Sequence, residues 1–348
     1  MNPVPGVGIE RNGSPADARV AVIIPCFNEA VAIGDTVRAF RAALPHAEIY
    51  VYDNNSTDRT AAVARAAGAA LRTERRQGKG AVVRRMFADV DADVFVMADG
   101  DATYDASAAP GMVARLLTEQ LDMIVGARED AVSAAYRPGH RFGNALLTSS
   151  VNYLFGRTFS DMLSGYRVFS RRFVKTFPAL TQGFEIETEI TVHALELGMP
   201  VAEVMTPYSA RPEGSASKLS TYRDGWRIVR LIIHLFRQER PVQLYASVAA
   251  ALATLALALS VPLVATYVET GLVPRVPTAI LCTGLILLAV LSGMCGLILD
   301  TVTRGRREIK RLAYLALPPA GVRLARDEDD QTGLRALPDV QRSRSAAP

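Results

Sequence analysis

The sequence predicts an α/β domain built on a mostly parallel sheet and followed by a hairpin of two membrane-spanning helices. Three observations predict it. From residue 19 onward, short β-branched apolar runs alternate with helical patterns, the mark of βαβ units. Two of those runs end in acidic clusters, Asp53-Asn54-Asn55-Ser56 and Asp99-Gly100-Asp101. Near the C-terminal end, residues 241–268 and 276–299 carry no charge, and each run exceeds the roughly 20 apolar residues that a helix needs to cross a bilayer.

In order, residues 1–18 are rich in Gly, Pro, Asn and Asp and read as a disordered tail. Residues 19–25 (RVAVIIP) form a first strand, 29–43 have helical spacing, and 48–52 (EIYVY) form a second strand. Ser56 and Thr57 can cap a helix running to Ala67. Residues 80–90 read as helix, 94–98 as a strand and 123–126 as a fourth strand. After Arg141 the pattern turns helical and irregular, through 142–155 and 184–197.

The soluble domain is expected to span 19–218, and an amphipathic helix 219–240. Within that helix Arg227, Arg230, His234 and Arg237 or Gln238 share one face, while Ile228, Ile232, Leu235 and Phe236 lie towards the other. This suits a helix at a membrane surface; packing against the core is the alternative. The linker 269–275 is short, so 241–300 forms a two-span hairpin. Arg237 and Arg240 precede it, and Arg304, Arg306, Arg307, Lys310 and Arg311 follow, whereas the linker has one basic residue, Arg275. The positive-inside rule then makes this an integral membrane protein with both termini and the whole soluble domain in the cytoplasm. Residues 301–348 read as a basic juxtamembrane segment and a disordered tail.

A chain of 348 residues has room for one medium domain plus an appendage. Its formal charge of +4 is small, and no stretch interleaves basic and aromatic residues, which argues against a nucleic-acid partner. Cys26, Cys282 and Cys295 lack a CxxC partner, and the four histidines show no HExxH pairing. A disulfide framework or zinc site is therefore not expected, and a reducing cytoplasm is consistent. Residues 1–18 lack the apolar core of a signal peptide.

The chemistry concentrates at the strand exits, where ligands of parallel sheets bind. Asp99 and Asp101, one residue apart after a buried strand, can point into one cleft. Hard cations such as Mg²⁺ take one or two carboxylates plus phosphate oxygens, and such an ion helps a diphosphate depart. Asp53 ends the second strand, where a carboxylate can accept from a base N–H or ribose hydroxyl; a turn-forming role with Asn54 and Asn55 is the alternative. Pro25, Asn28 and Glu29 follow the first strand, where a base could sit, although a plain helix entry explains Asn28 and Glu29 equally well. Gly78-Lys79-Gly80 allows close backbone approach but is not a P-loop, and no Gly-x-Gly-x-x-Gly follows the first strand. A nucleotide-and-metal site tethered to a membrane suggests an enzyme with one water-soluble and one lipid substrate.

Nine segments together carry a resemblance: VIIPCFNE (22–29), VYDNNSTDRT (51–60), GKGAVVR (78–84), MADGDATYD (97–105), GAR (126–128), HRFGN (140–144), SDMLSGYRVF (160–169), FEIETEI (184–190) and RPEGSASKL (211–219). In this order they resemble the successive blocks of family 2 glycosyltransferases, especially polyprenyl-phosphate sugar synthases such as dolichyl-phosphate-mannose synthase and the bactoprenol glucosyltransferases. The likeness runs from about residue 19 to 240, and the hairpin recurs in that group. It implies a GT-A fold, Mg²⁺ or Mn²⁺ as cofactor, and inverting transfer of a hexose from a nucleotide diphosphate sugar to a polyprenyl phosphate at the cytoplasmic face. By position, Pro25, Glu29, Asp53 and Asp99 would hold the nucleotide. Asp99 and Asp101 would be the metal acids, with Asp101 the direct ligand. Thr103 stands where relatives often carry Gln, as a third and weaker ligand.

Arg128, Arg141, Arg211 and Lys218 match basic positions that handle phosphates, as a lipid monophosphate acceptor requires. Arg128 is assigned to the catalytic group with Asp101 and Asp161, and Arg141, Arg211 and Lys218 to the acceptor phosphate. Asp161 could orient or activate the acceptor, which is already nucleophilic at pH 7 because its second pKa lies near 6. Glu185, Glu187 and Glu189 are alternative acids.

A processive polysaccharide synthase is a competing reading, but its Gln-x-x-Arg-Trp is absent: the one tryptophan, Trp226, sits in Asp-Gly-Trp. A non-catalytic membrane adaptor on a degenerate transferase domain is another, opposed by the intact Asp99, Asp101, Arg128 and Arg211. A UDP-sugar is favoured as donor, with GDP-mannose the runner-up, because Asp53 could serve uracil or guanine. Chain length of the lipid and a homo-oligomeric state are left open.

Overall fold

A computed structural model describes residues 18–129, 149–156, 159–179, 185–209, 211–212, 230, 232–233, 235–237 and 239–321. Seven strands form one sheet in the order β3-β2-β1-β4-β6-β5-β7. They are β1 (Val20–Cys26), β2 (Glu48–Asp53), β3 (Ala70–Thr73), β4 (Val94–Met97), β5 (Met123–Arg128), β6 (Arg167–Ser170) and β7 (Val201–Thr206). Only β6 runs antiparallel to its neighbours β4 and β5. The helices of the domain are α1 (Ile33–Ala43), α2 (Thr60–Ala66), α3 (Lys79–Asp89), α4 (Ala109–Thr118), α5 (Arg171–Thr176) and α6 (Ile186–Leu197).

The sheet is buried on both faces. Along β1, Ala21 and Ile23 enter one apolar cluster while Val22 and Ile24 enter the other, as the two-residue period of a strand dictates. The inner strands β1, β4 and β5 therefore read as continuous apolar runs, the pattern of strands covered by helices on both sides.

Two helices start later than their sequence patterns imply. Helix α1 begins at Ile33, after a turn opened by Glu29, whose carbonyl accepts from Ala32 and Ile33 N–H and whose own N–H donates to Thr60 Oγ1 at 2.8 Å. Helix α2 begins at Thr60, because Ser56 and Thr57 bind across to Asn28 instead of capping: Asn28 N–H donates to Ser56 Oγ at 2.9 Å and Thr57 N–H to Asn28 Oδ1 at 2.8 Å. Strands β3, β6 and β7 were hidden in the sequence by polar residues such as Arg72, Arg167 and Glu203, and β3 and β6 also by their brevity.

Two long helices follow: α7 (Pro241–Thr270) and α8 (Val276–Leu315), of 30 and 40 residues. Both are apolar enough to cross a membrane, with mean hydropathy of 2.3 over their most apolar stretches. They pack through Cys282, Ala289, Gly296 and Thr303, small side chains seven residues apart on α8. A Cβ at Gly296 would lie 3.0 Å from Tyr245 Cβ, so glycine permits this close approach.

In the stretch expected as an amphipathic helix, Leu235 is buried in the domain core and Ile232 and Phe236 pack against that core, while Ile228 lies outside the described residues. Beyond its apolar run, α8 continues through Leu315 and docks on the domain.

Candidate active site

Strands β1, β2 and β4 lie side by side and parallel, so their carboxyl ends open together. There a cleft of about 350 Å³ is lined by Pro25, Phe27, Glu29, Asn54, Lys79, Asp99, Asp101 and Arg211, among others. The three exits share one backbone device. Asn28, Asn55 and Ala102 all have positive φ, at 53°, 61° and 57°. Asn tolerates this region; for Ala it costs about 1–2 kcal/mol, so the turn after Asp101 is held by its surroundings.

The wall formed by β1 and β2 has Pro25 at its base and Glu29 buried beside it. Asp53 is 6% exposed. Its Oδ2 accepts from Ser56 N–H at 3.3 Å, while Oδ1 is buried with no hydrogen-bond partner among the described residues. A buried acceptor with spare capacity suits a ligand donor. Its neighbour Asn54 is a brace rather than a turn residue. Its Nδ2 donates to the carbonyls of Glu74 and Arg76, both at 2.8 Å, and its Oδ1 accepts from Gly78 N–H at 2.7 Å. That brace sets Gly78, at φ 123°, and starts α3 at Lys79.

Lys79 was visible in the sequence only as part of a glycine-rich loop. Its ammonium lies 2.6 Å from Asp99 Oδ1 and 2.5 Å from Glu187 Oε1. Burial alone would lower its pKa; Asp99 and Glu187 outweigh burial and hold it well above the ordinary lysine value. Asp101 is buried, with its Oδ1 accepting from Thr103 Oγ1 at 2.6 Å and its Oδ2 lying 2.8 Å from Arg211 Nη2. Thr103 thus orients Asp101 from beneath. Gly100 and Gly165 allow close approach: a Cβ at Gly100 would lie 2.4 Å from Cys26 Sγ, and one at Gly165 2.5 Å from Asp99 Oδ2, so a larger residue at either would displace that side chain.

Arg211 reaches the cleft because the β4 and β7 exits are tied together. Tyr104 and Tyr208 pair as an isolated bridge, and Ser209 N–H donates to the Thr103 carbonyl at 2.9 Å. Arg211 therefore shares the cleft with Pro25 and Glu29. At the end of β5, Arg128 grips Asp161 through two bonds, Nε to Oδ2 at 2.6 Å and Nη2 to Oδ1 at 2.8 Å, and neither residue is among those lining the cleft. An aspartate held bidentately is fixed in place. Its segment is secured by Glu203, which accepts from the N–H groups of Ser160 and Asp161 at 3.0 Å.

Below, Arg167 is fully buried and donates to the Ser164 carbonyl and to Thr191 Oγ1, both at 2.9 Å. Burial pushes its pKa down to about 10, so it stays charged at neutral pH. Asn54, Lys79, Glu203 and Arg167 form the supporting set that sequence reasoning did not assign. The Lys79 in GKG and the Arg167 in SGYR were the available signals. Arg141 and Lys218 lie outside the described residues.

The profile described as glycosyl transferase family 2 matches residues 21–177. Glycosyltransferase AglJ of Haloferax volcanii is 32% identical over 308 residues, which cover 86% of this chain and 99% of that one. A dolichyl-phosphate hexose transferase of the same organism is 28% identical over 222 residues, 64% of this chain and 95% of that one. Protein RfbJ of Shigella flexneri is 56% identical over 123 residues, 35% of this chain and 95% of that one. Among solved structures, glucosyl-3-phosphoglycerate synthase from Mycobacterium tuberculosis, in complex with Mn²⁺, UDP and glucosyl-3-phosphoglycerate, superposes with a TM-score of 0.53 at 22% identity, over 69% of this chain and 85% of that one. The last likeness is one of fold.

Proposed function

The chain belongs to glycosyl transferase family 2, and on that premise we propose that it transfers a hexose from a nucleotide diphosphate sugar, UDP-sugar favoured, to a polyprenyl phosphate, with inversion at the anomeric carbon. One observation carries the reading: two cleft carboxylates, each matched to a cation, sit in a domain docked on two membrane-length helices. GDP-mannose is the alternative donor.

The donor set fits a divalent metal. Asp99 and Asp101 are hard oxygen ligands beside a cleft, and Lys79 and Arg211 already show that cations satisfy them. Mg²⁺ or Mn²⁺ held by Asp101, with Asp99, would neutralise charge on the departing nucleoside diphosphate. Thr103 fixes the Asp101 carboxylate for that role. Pro25, Glu29 and Asp53 hold the nucleoside, with the spare acceptor on Asp53 meeting a base or ribose donor.

In the reaction, an oxygen of the acceptor phosphate attacks the anomeric carbon. The bond from that carbon to the nucleotide's β-phosphate oxygen breaks, and the nucleoside diphosphate leaves with the electron pair. The acceptor dianion needs no strong base, so Asp161 serves by orienting Arg128. Arg128 and Arg211, with Arg141 and Lys218, gather phosphate charge. The catalytic domain and both termini face the cytoplasm, where nucleotide sugars are made.

The test is to incubate membranes containing the full chain with a panel of nucleotide sugars and polyprenyl phosphate. A labelled polyprenyl-phosphate sugar from a UDP-hexose, lost in EDTA and regained with Mg²⁺ or Mn²⁺, is the expected result. Transfer to a soluble acceptor alone would overturn the lipid reading.

A further inference from the structure

We infer that the part of α8 beyond its apolar run is a strut that clamps the catalytic domain to the membrane hairpin, with Arg307, Lys310 and Tyr314 as positioning residues for the reaction. The inference rests on the lipid-acceptor reading above only for its functional consequence.

Helix α8 is longer than a span requires. At 1.5 Å per residue, its 40 residues rise about 60 Å, while a bilayer core needs about 30 Å. What lies beyond the apolar run is organised rather than loose. Three carboxylates from three different elements are buried against it, with side chains 0–2% exposed: Asp122 before β5, Glu196 near the end of α6, and Glu239 just before α7.

Each buried acid is met from α8. Tyr314 Oη donates to Asp122 Oδ2 at 2.7 Å. Lys310 Nζ lies 2.6 Å from Glu196 Oε2, and Arg307 Nε 3.4 Å from Glu196 Oε1. Arg307 Nη2 also reaches Glu239 Oε2 at 2.5 Å, with Arg306 at 3.7 Å from the other oxygen. Positions 307, 310 and 314 fall on one helical face. Arg172 stacks over the Tyr314 ring at 4.2 Å and bonds Asp122 as well.

Charge makes the contact obligatory. Among the described residues, the cations that meet Glu196 and Glu239 all come from α8. Burial first, and then the nearby Glu196, raise the Glu239 pKa. Arg307 bridges both acids. Lifting the domain off α8 would part Glu196 from Arg307 and Lys310 and Asp122 from Tyr314, and so forfeit ion pairs and a hydrogen bond that are shielded from solvent.

The anchors sit at the far ends of elements whose near ends build the site. Asp122 precedes β5, which ends at Arg128. Glu196 lies on α6, whose opposite end carries Glu187 against Lys79. A strut fixed at both anchors therefore sets how Arg128 and Glu187 stand relative to the lipid layer.

The test uses the full chain in lipid nanodiscs, comparing the native protein with Lys310→Glu, with Tyr314→Phe and with the exchange Glu196→Lys/Lys310→Glu. Backbone hydrogen exchange over 304–315 should be slow in the native chain, and roughly 100-fold faster in Lys310→Glu. It should be intermediate in Tyr314→Phe, which keeps the ion pairs, and slowed again in the exchange. Calorimetric UDP binding should be unchanged in all four, while KM for polyprenyl phosphate rises with exchange rate. Fast exchange over 304–315 in the native chain overturns the strut, and so does equal protection in native and Lys310→Glu chains. Protection that responds as expected while no variant uses polyprenyl phosphate would overturn the acceptor reading and leave the clamp standing.

Discussion

Two regions of this glycosyltransferase are built from the same materials and do opposite things with them. At the carboxyl ends of the strands, Asp99 and Asp101 meet Lys79 and Arg211 beside an open cleft. At the other end of the sheet, Asp122 is fully buried and receives Ser170 Oγ at 2.7 Å, Arg172 at 2.8 and 3.1 Å, and Tyr314 Oη at 2.7 Å. The first carboxylates face a cleft where a ligand can exchange for a cation; the second is closed on all sides by protein. Burial of acids alone does not mark an active site. What marks it is an acid that lines a cleft, as Asp99 and Asp101 do.

The sharpest way to break the comparison is at Asp101. Asp101→Ala should lower transfer by roughly 10²–10³-fold, the scale of losing a main electrostatic stabiliser. UDP binding measured with Mn²⁺ should weaken, and the thermal midpoint should stay close to native because Arg211, one-third exposed, can turn to water. Full transfer by Asp101→Ala in EDTA would remove the metal role from this end of the sheet.

Next is Lys79, the point where the two behaviours meet, since Glu187 is buried and Asp99 is not. Lys79→Met should cost about 3 kcal/mol of stability by leaving Glu187 without its cation, together with most activity. Adding Glu187→Gln should restore much of the thermal midpoint without restoring transfer. Recovery of both together would make the lysine a structural ion pair only.

Most of the sheet was legible in the sequence because β1, β2, β4 and β5 are buried on both faces and spell continuous apolar runs. The acidic exits were legible because they interrupt such runs. Strands β6 and β7 were not, since Arg167 and Glu203 serve the 160–164 segment and break the pattern. The partners of a carboxylate are long-range facts: Lys79 and Glu187, or Asp122 and Tyr314, are far apart in the chain. For the same reason the C-terminal basic stretch read as a membrane-flanking charge cluster, although Arg307 and Lys310 pair with buried acids.

A smaller effect is expected at the closed end. Asp122→Asn removes one charge from a pocket that also holds Arg172, whose side chain is 13% exposed. A loss of about 2–3 kcal/mol should follow, of the size expected for hydrogen bonds to a charged group. Turnover of the folded fraction with saturating substrates should be native. A collapse of kcat without a lower thermal midpoint would erase the distinction between the two ends.

The smallest effect concerns His193, which sits on α6 between the two ends. It is 2% exposed, packs edge-on against Phe173 and Phe177, and neither ring nitrogen has a partner among the described residues. Burial, and then the charge of Lys310, push its pKa from 6.5 down to about 3. The folded state therefore binds fewer protons than the unfolded chain between those two values. Stability is unaffected by this group above about pH 6.5 and falls as pH drops below it, by about 1.4 kcal/mol per unit. At pH 5 the deficit is about 2 kcal/mol. His193→Leu keeps the apolar contacts and cannot protonate. Between pH 7.5 and 5, its thermal midpoint should fall less than that of the native chain, while the two stay close at pH 7.5. Parallel curves would mean that His193 is solvated in the folded protein, and that α6 is not sealed between the cleft and the strut.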